Sequence, residues 1–192
     1  MTKGRLEAFS DGVLAIIITI MVLELKVPHG SELADLAPLL PVLLSYVVSF
    51  VYVGIYWNNH HHLLHATRRV GGGVMWANLL LLFWLSLVPF VSGWVGEHPD
   101  ASWPAALYGV MLLMAGVAWL ILVRAILAEN DPTSALTALV KDDRKAKVST
   151  ALYLAAIGAA FVRPWLADAL YAGVALLWIV PDRRIEAKLS AE

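Results

Sequence analysis

The sequence predicts an all-α integral membrane protein whose chain crosses the bilayer six times. Hydrophobic residues make up 60% of the 192 and charged residues only 15%, against roughly 45–50% and 25% in soluble domains. The charges are gathered into short clusters between apolar runs long enough to cross a hydrocarbon core. Laid out as six spans, the chain also places nearly all of its Lys and Arg on one side, which supports an even count.

The first span covers 9–27 and follows a short charged opening, Lys3 to Glu7. It carries no small-residue cleavage site, so it is expected to be a retained span and not a cleaved signal peptide. The second covers 39–64, with Pro38 and Pro41 in its first turn, where a missing N–H costs least. Gly71-Gly72-Gly73 separates it from the third, 74–95, and Pro104 opens the fourth, 105–127. The last two, 148–162 and 165–180, part at Arg163-Pro164. Read as one helix they would be about 50 Å long, too long for a core of roughly 30 Å, so a tight hairpin is expected. The one long connection, 128–147, reads "AENDPTSALTALVKDDRKAK", and Thr133 or Ser134 would cap a short surface helix ending near Val140. No second copy of the first-span pattern is visible, so residues 1–192 are expected to form a single six-helix domain, one repeat.

Charge sets the direction. Lys3, Arg5, Arg68, Arg69, Arg124, Lys141, Arg144, Lys145, Lys147, Arg183, Arg184 and Lys188 fall on one side of the six-span layout, and Lys26 and Arg163 on the other. The positive-inside rule then puts both termini in the cytoplasm of a multi-pass cell-membrane protein. The net charge of −1, without a long acidic or basic block, gives no reason to expect nucleic acid. The chain has no cysteine, which removes disulfides and thiolate metal sites.

The first span holds the most informative pattern. Ile16, Thr19, Ile20 and Leu23 follow the spacing of a single helical face. Asp11 lies about 140° from Ile16 on the same wheel, so carboxylate and stripe look in different directions. A stripe of this kind is used for helix packing more often than for lining a pore, and by itself it fits either. A membrane carboxylate is costly unless paired and usually points into protein. Asp11 therefore either pairs with the 56–62 stretch or Asn78, or marks the helix end at headgroup depth.

Other polar groups are less decisive. His61 and His65 stand at the i, i+4 spacing of two helical metal ligands. Three consecutive histidines spread over about 200° of a helix, however, and acidic partners are few, so no metal is expected. The alternatives are interfacial histidines beside Arg68 and Arg69, or a supporting role in which Asn58 and His61 bond Asp11 or Ser10, with Trp57 in the same cluster. Glu24 either raises cation concentration at the outer end of the helix or sits solvated beside Lys26. The eight tryptophans fall mostly near span ends, as interface belts do. Ala105, Gly109 and Gly116 give the fourth span small residues for close helix contact. Ser10 and Asp11 point about 100° apart, a poor catalytic dyad, so no enzyme is expected. A secondary transporter would show repeated, broken spans, which are not visible here. It remains the alternative, together with another multi-span protein built on a buried Asp/His network.

"RLEAFSDGVLAIIITIMVLEL", with Arg5 and then Phe9-Ser10-Asp11, resembles the signature first helix of the endosomal/lysosomal potassium channel family, transmembrane protein 175, and its prokaryotic homologues. "YWNNHHHLL" on the second span, "ANLLLLFWLSLVPF" on the third and the six-span layout extend the resemblance over most of the chain. It implies a potassium-selective channel that discriminates weakly among cations, assembled as a homotetramer of single repeats. The first helices would line a central pore, with Ile16 at its narrowest ring and Thr19 or Ile20 and Leu23 in the next layers. Potassium would be the permeant species, and no cofactor is implied. Arg5, Phe9, Ser10 and Asp11 would belong to a polar network holding the pore helix, with Trp57, Asn58, His61 and Asn78 as its partners. The family lacks a glycine-rich carbonyl filter, and this chain has no Thr-Val-Gly-Tyr-Gly run.

Overall fold

The computed structural model describes residues 2–130 and 143–179, which form helices and their connections, with no strand among them. The expected cap at Thr133 or Ser134 and the cations Lys141, Arg183, Arg184 and Lys188 lie outside these residues. α1 is Lys3–Leu23, a 3₁₀ segment Leu33–Leu39 leads into α2, Leu40–Ala66, and α3 is Gly72–Ser86. α4 is Val88–Glu97, α5 Ser102–Glu129, α6 Asp143–Ala160 and α7 Pro164–Ile179. With α3 and α4 taken as one broken span, these are the six expected spans.

Among the described residues, four segments are long and apolar enough to cross a membrane: Lys3–Leu23, Leu33–Ala66, Gly72–Glu97 and Ser102–Glu129. α7 is a shorter apolar helix. It packs along α6 as a hairpin closed by the Val162 and Arg163 N–H groups on the Ala159 carbonyl. Pro164 opens α7 at a position whose N–H has no helical acceptor.

The third span is not continuous. Its helix is interrupted at Leu87, two residues before Pro89. The proline has no N–H for the Leu85 carbonyl and its ring crowds that oxygen, which is the ordinary cause of such a break. Both halves touch α1 and α5, but their main partners differ, α5 for α3 and α2 for α4.

α5 sits at the centre and touches α3, α4, α6 and α7. Close approach there needs Gly109, where an added Cβ would lie 2.1 Å from the Tyr171 hydroxyl oxygen. That hydroxyl donates to the Ala105 carbonyl at 3.0 Å. Gly116 differs from the expectation of a packing position: a Cβ there would meet nothing within 4 Å.

Hydroxyls inside the bundle satisfy one another, as they must where no water competes. Ser45 donates to the Ser92 carbonyl at 2.7 Å, Ser49 to the Ser92 Oγ at 2.9 Å, and Ser49 Oγ lies 2.8 Å from the Tyr108 oxygen. Tyr52 donates to the Tyr171 carbonyl at 2.7 Å. At the end of α5, the Asn130 Oδ1 accepts the N–H groups of Arg68 and Arg69 at 2.9 and 2.7 Å. Glu129 accepts the Gly71 N–H, and a Cβ on Gly71 would run into that carboxylate. The glycine run is thus a seat for the end of α5.

Candidate pore-lining helix and its polar anchor

α1 lies at the edge of the bundle, packed against α2, α3 and α4. Its buried residues are Leu6, Ser10, Leu14, Ile17 and Met21, one face at helical spacing. Ile16, Thr19, Ile20 and Leu23 project away from it, centred about 130° round the wheel. The contrast is sharp between neighbours: Ile17 is 3% exposed, Ile16 57% and Leu23 81%. The aliphatic stripe therefore has no packing partner within its own chain. Thr19 donates its hydroxyl hydrogen to the Ile16 carbonyl at 2.8 Å. Its oxygen lone pairs stay available on the exposed face.

The opposite face holds α1 through a buried polar chain. Ser10 donates to the Leu6 carbonyl at 2.9 Å and accepts the Asn78 amide at 2.9 Å. The Asn78 carbonyl oxygen lies 2.7 Å from His60 Nε2. Because Asn78 donates to Ser10, its oxygen faces the histidine, and Nε2 is the donor. Ser10, Asn78 and His60 are all fully or nearly fully buried. His60 Nδ1 is left as a buried lone pair with no partner among the described residues.

A second, more exposed set runs along the same junction. Trp57 Nε1 donates to Asp11 Oδ1 at 3.1 Å, and its ring stacks on His61 with centroids 6.4 Å apart. His61 Nδ1 lies 3.2 Å from Glu7 Oε1, and Lys3 donates to the His65 carbonyl at 2.8 Å. At the other end of α1, Lys26 pairs with Glu97 at 2.7 Å in an exposed contact. The Glu97 carboxylate, by its hydrogen bond first and its charge second, holds the Lys26 ammonium above its ordinary range. Glu24 is exposed nearby.

Of the residues expected to anchor the helix, Ser10, Asp11, Trp57, His61 and Asn78 meet at this junction. Arg5, Phe9 and Asn58 do not: all three are exposed, and neither Arg5 nor Asn58 makes a side-chain hydrogen bond among the described residues. The histidine of the buried chain is His60, where Asn58 and His61 are the residues expected from the sequence. The reason is rotation. His60 follows Val53 by seven residues on the inward face of α2, while Asn58 is about 160° from it. Glu7 was also missed; it lies four residues before Asp11, on the same side of α1. No group of three or more His, Asp or Glu among the described residues is arranged to hold a metal ion.

The family model for the endosomal/lysosomal potassium channel TMEM175 matches residues 5–89, which take in α1 from Arg5 onward, its buried anchors and α3. A potassium channel of Chryseobacterium sp. (strain P1-3) is 52% identical over 189 residues, covering 98% of each chain. The crystal structure of a lysosomal potassium-selective channel TMEM175 homologue from Chamaesiphon minutus superposes with a TM-score of 0.81 at 28% identity. That match covers 93% of this chain and 96% of the other. The human endosomal/lysosomal proton channel TMEM175 is 39% identical over 87 residues, which are 37% of this chain and 17% of the human one. A full-length relative at this identity and a shared fold place the chain in a family of ion channels and not of enzymes: it belongs to the TMEM175 family.

Proposed function

We propose that the chain assembles as a homotetramer in the cell membrane and conducts potassium along a central pathway lined by α1. The observation that carries this reading is the bare stripe of Ile16, Thr19, Ile20 and Leu23 on a helix anchored firmly by its other face. One chain supplies one such helix, so a pathway walled by it needs a closed ring of copies. In that ring Ile16 forms the narrowest layer. Aliphatic rings repel water, so conduction is limited by the cost of passing a partly dehydrated cation. The outward lone pairs of Thr19 offset part of that cost one turn further along.

Such a constriction has no rigid cage of carbonyls, and discrimination between potassium and other cations is correspondingly weak. Both termini face the cytoplasm, with Lys3, Arg68, Arg69 and Arg124 at that end and Lys26 and Arg163 at the other. The test is current through planar bilayers containing the purified protein under a potassium gradient, with sodium and caesium substituted in turn. Channel-like, voltage-following potassium current is expected. Coupled exchange without current would make the protein a transporter. The human relative is named a proton channel, so a pH gradient with no permeant metal cation is the companion arm. Current carried there alone would replace potassium with protons.

A further inference from the structure

A cavity of about 300 Å³ opens between α2, α5, α6 and α7, away from α1 and its anchors. That volume is at the lower end of small-molecule sites, roughly 300–1,000 Å³. Along α5 it runs from Leu113 to Leu127, about 21 Å at 1.5 Å per residue. Half of a bilayer with its headgroups is about 20–22 Å thick, so the cavity spans one leaflet. Its walls are mostly apolar, and Gly116 widens it by presenting no side chain.

Its polar groups are unusual for a membrane interior. The Tyr56 hydroxyl, the Asn59 amide and the Arg124 guanidinium all line it, and none has a hydrogen-bond or ion-pair partner among the described residues. By contrast, Ser10, Ser49, Tyr52 and Asn78, buried in the bundle, are all hydrogen-bonded, as lipid surroundings demand. Arg124 stands at the cation-rich end of the molecule, where Lys145 lies 5.9 Å from the ring centre of Trp178, another wall residue. A cation at headgroup depth with no counter-charge among the described residues is complementary to an anionic lipid headgroup.

We propose that this cavity binds an anionic phospholipid, with one acyl chain between α2, α5 and α6 and its phosphate on Arg124. Tyr56 and Asn59 meet the ester and glycerol oxygens below the phosphate. The site is separate from the α1 stripe, and lipid binding there does not depend on which ion the protein conducts.

The experiment is native mass spectrometry of the purified oligomer after reconstitution in an equimolar mixture of phosphatidylglycerol and phosphatidylcholine. The parent protein is expected to keep about one phosphatidylglycerol per chain through detergent exchange, in preference to phosphatidylcholine. Arg124→Gln is expected to lower that retention about tenfold, the loss of one charge-assisted contact, and to remove the preference. Gly116→Leu fills the cavity from a position with room for the new side chain, and should reduce occupancy by both lipids. Equal retention of the two lipids by the parent, or undiminished retention in a Gly116→Leu protein with the parent's elution volume, overturns the proposal. If Gly116→Leu does not assemble, the exposed Arg124→Gln change decides the question alone.

Discussion

Asn78 donates to Ser10 Oγ across 2.9 Å at a depth where both residues are completely buried. This contact joins α3 to α1, and through the Asn78 carbonyl it also joins α2 at His60. Asn78→Leu would leave the buried His60 Nε2 without its acceptor, at about 1–3 kcal/mol, and take the donor from Ser10 Oγ, whose own hydroxyl still reaches the Leu6 carbonyl. A lower thermal transition in detergent is expected. Adding His60→Phe and Ser10→Ala removes both groups and should recover part of the loss. A triple variant less stable than Asn78→Leu would show that the chain is not acting through polar satisfaction.

Asp11 works at the more exposed part of the same junction, where it accepts from Trp57. Asp11→Ala is expected to shift the oligomer to smaller species on size exclusion, because the tilt of α1 against α2 is no longer held. Ion discrimination in whatever assembled protein remains should match the parent. A variant that stays fully assembled and changes only its permeability ratios would place Asp11 in the ion path.

Ile16→Asn puts amide oxygens where the aliphatic ring is proposed to be narrowest and lowers the dehydration cost there. Potassium current should rise and discrimination against sodium should weaken. Ile18, about 160° away, packs against the core. Its replacement by Asn should mainly reduce folded yield. Currents from size-matched protein in planar bilayers separate the two, and the reverse pattern would mean that the pore face is misassigned.

The absence of native cysteine makes topology directly readable. Arg69→Cys, between α2 and α3, should resist an impermeant thiol reagent in intact cells. Asp100→Cys, between α4 and α5, should react. Labelling at position 69 from outside would reverse the orientation.

Gly96 and Gly116 separate tight from open helix contacts. A Cβ on Gly96 would sit 2.6 Å from the Val42 Cα, a backbone atom that cannot step aside. Gly96→Val should cost about 1–3 kcal/mol through overpacking. Gly116→Ala meets no neighbour and relieves helical glycine, worth about 0.5–1 kcal/mol. Thermal melting should therefore move down for the first and stay level or rise for the second.

The membrane class, the six-span layout and the grouping of Ile16, Thr19, Ile20 and Leu23 on one face of α1 are determined by the sequence itself; that this face is left unpacked is shown only by the structure. The first three rest on local quantities: run length against bilayer thickness, the sidedness of Lys and Arg, and the turn per residue of a helix. The same arithmetic separated Ile16 from Asp11 before any partner was known. It could not orient α2, which is apolar nearly all round and so has no stripe to set its phase. Asn58 and His61 are the residues expected there and His60 is not, although the spacing from Ser49, Tyr52 and Val53 to His60 places it on the buried face. The third span, 74–95, reads as one continuous run in the sequence; its break at Leu87 beside Pro89, and which helix each half joins, come from the structure. Gly116 and Gly109 are alike as letters, yet one faces a cavity and the other a tyrosine. Only the tertiary structure decides such questions, because a side chain's partner depends on the rotation and depth of two helices at once, while periodicity reports one helix at a time.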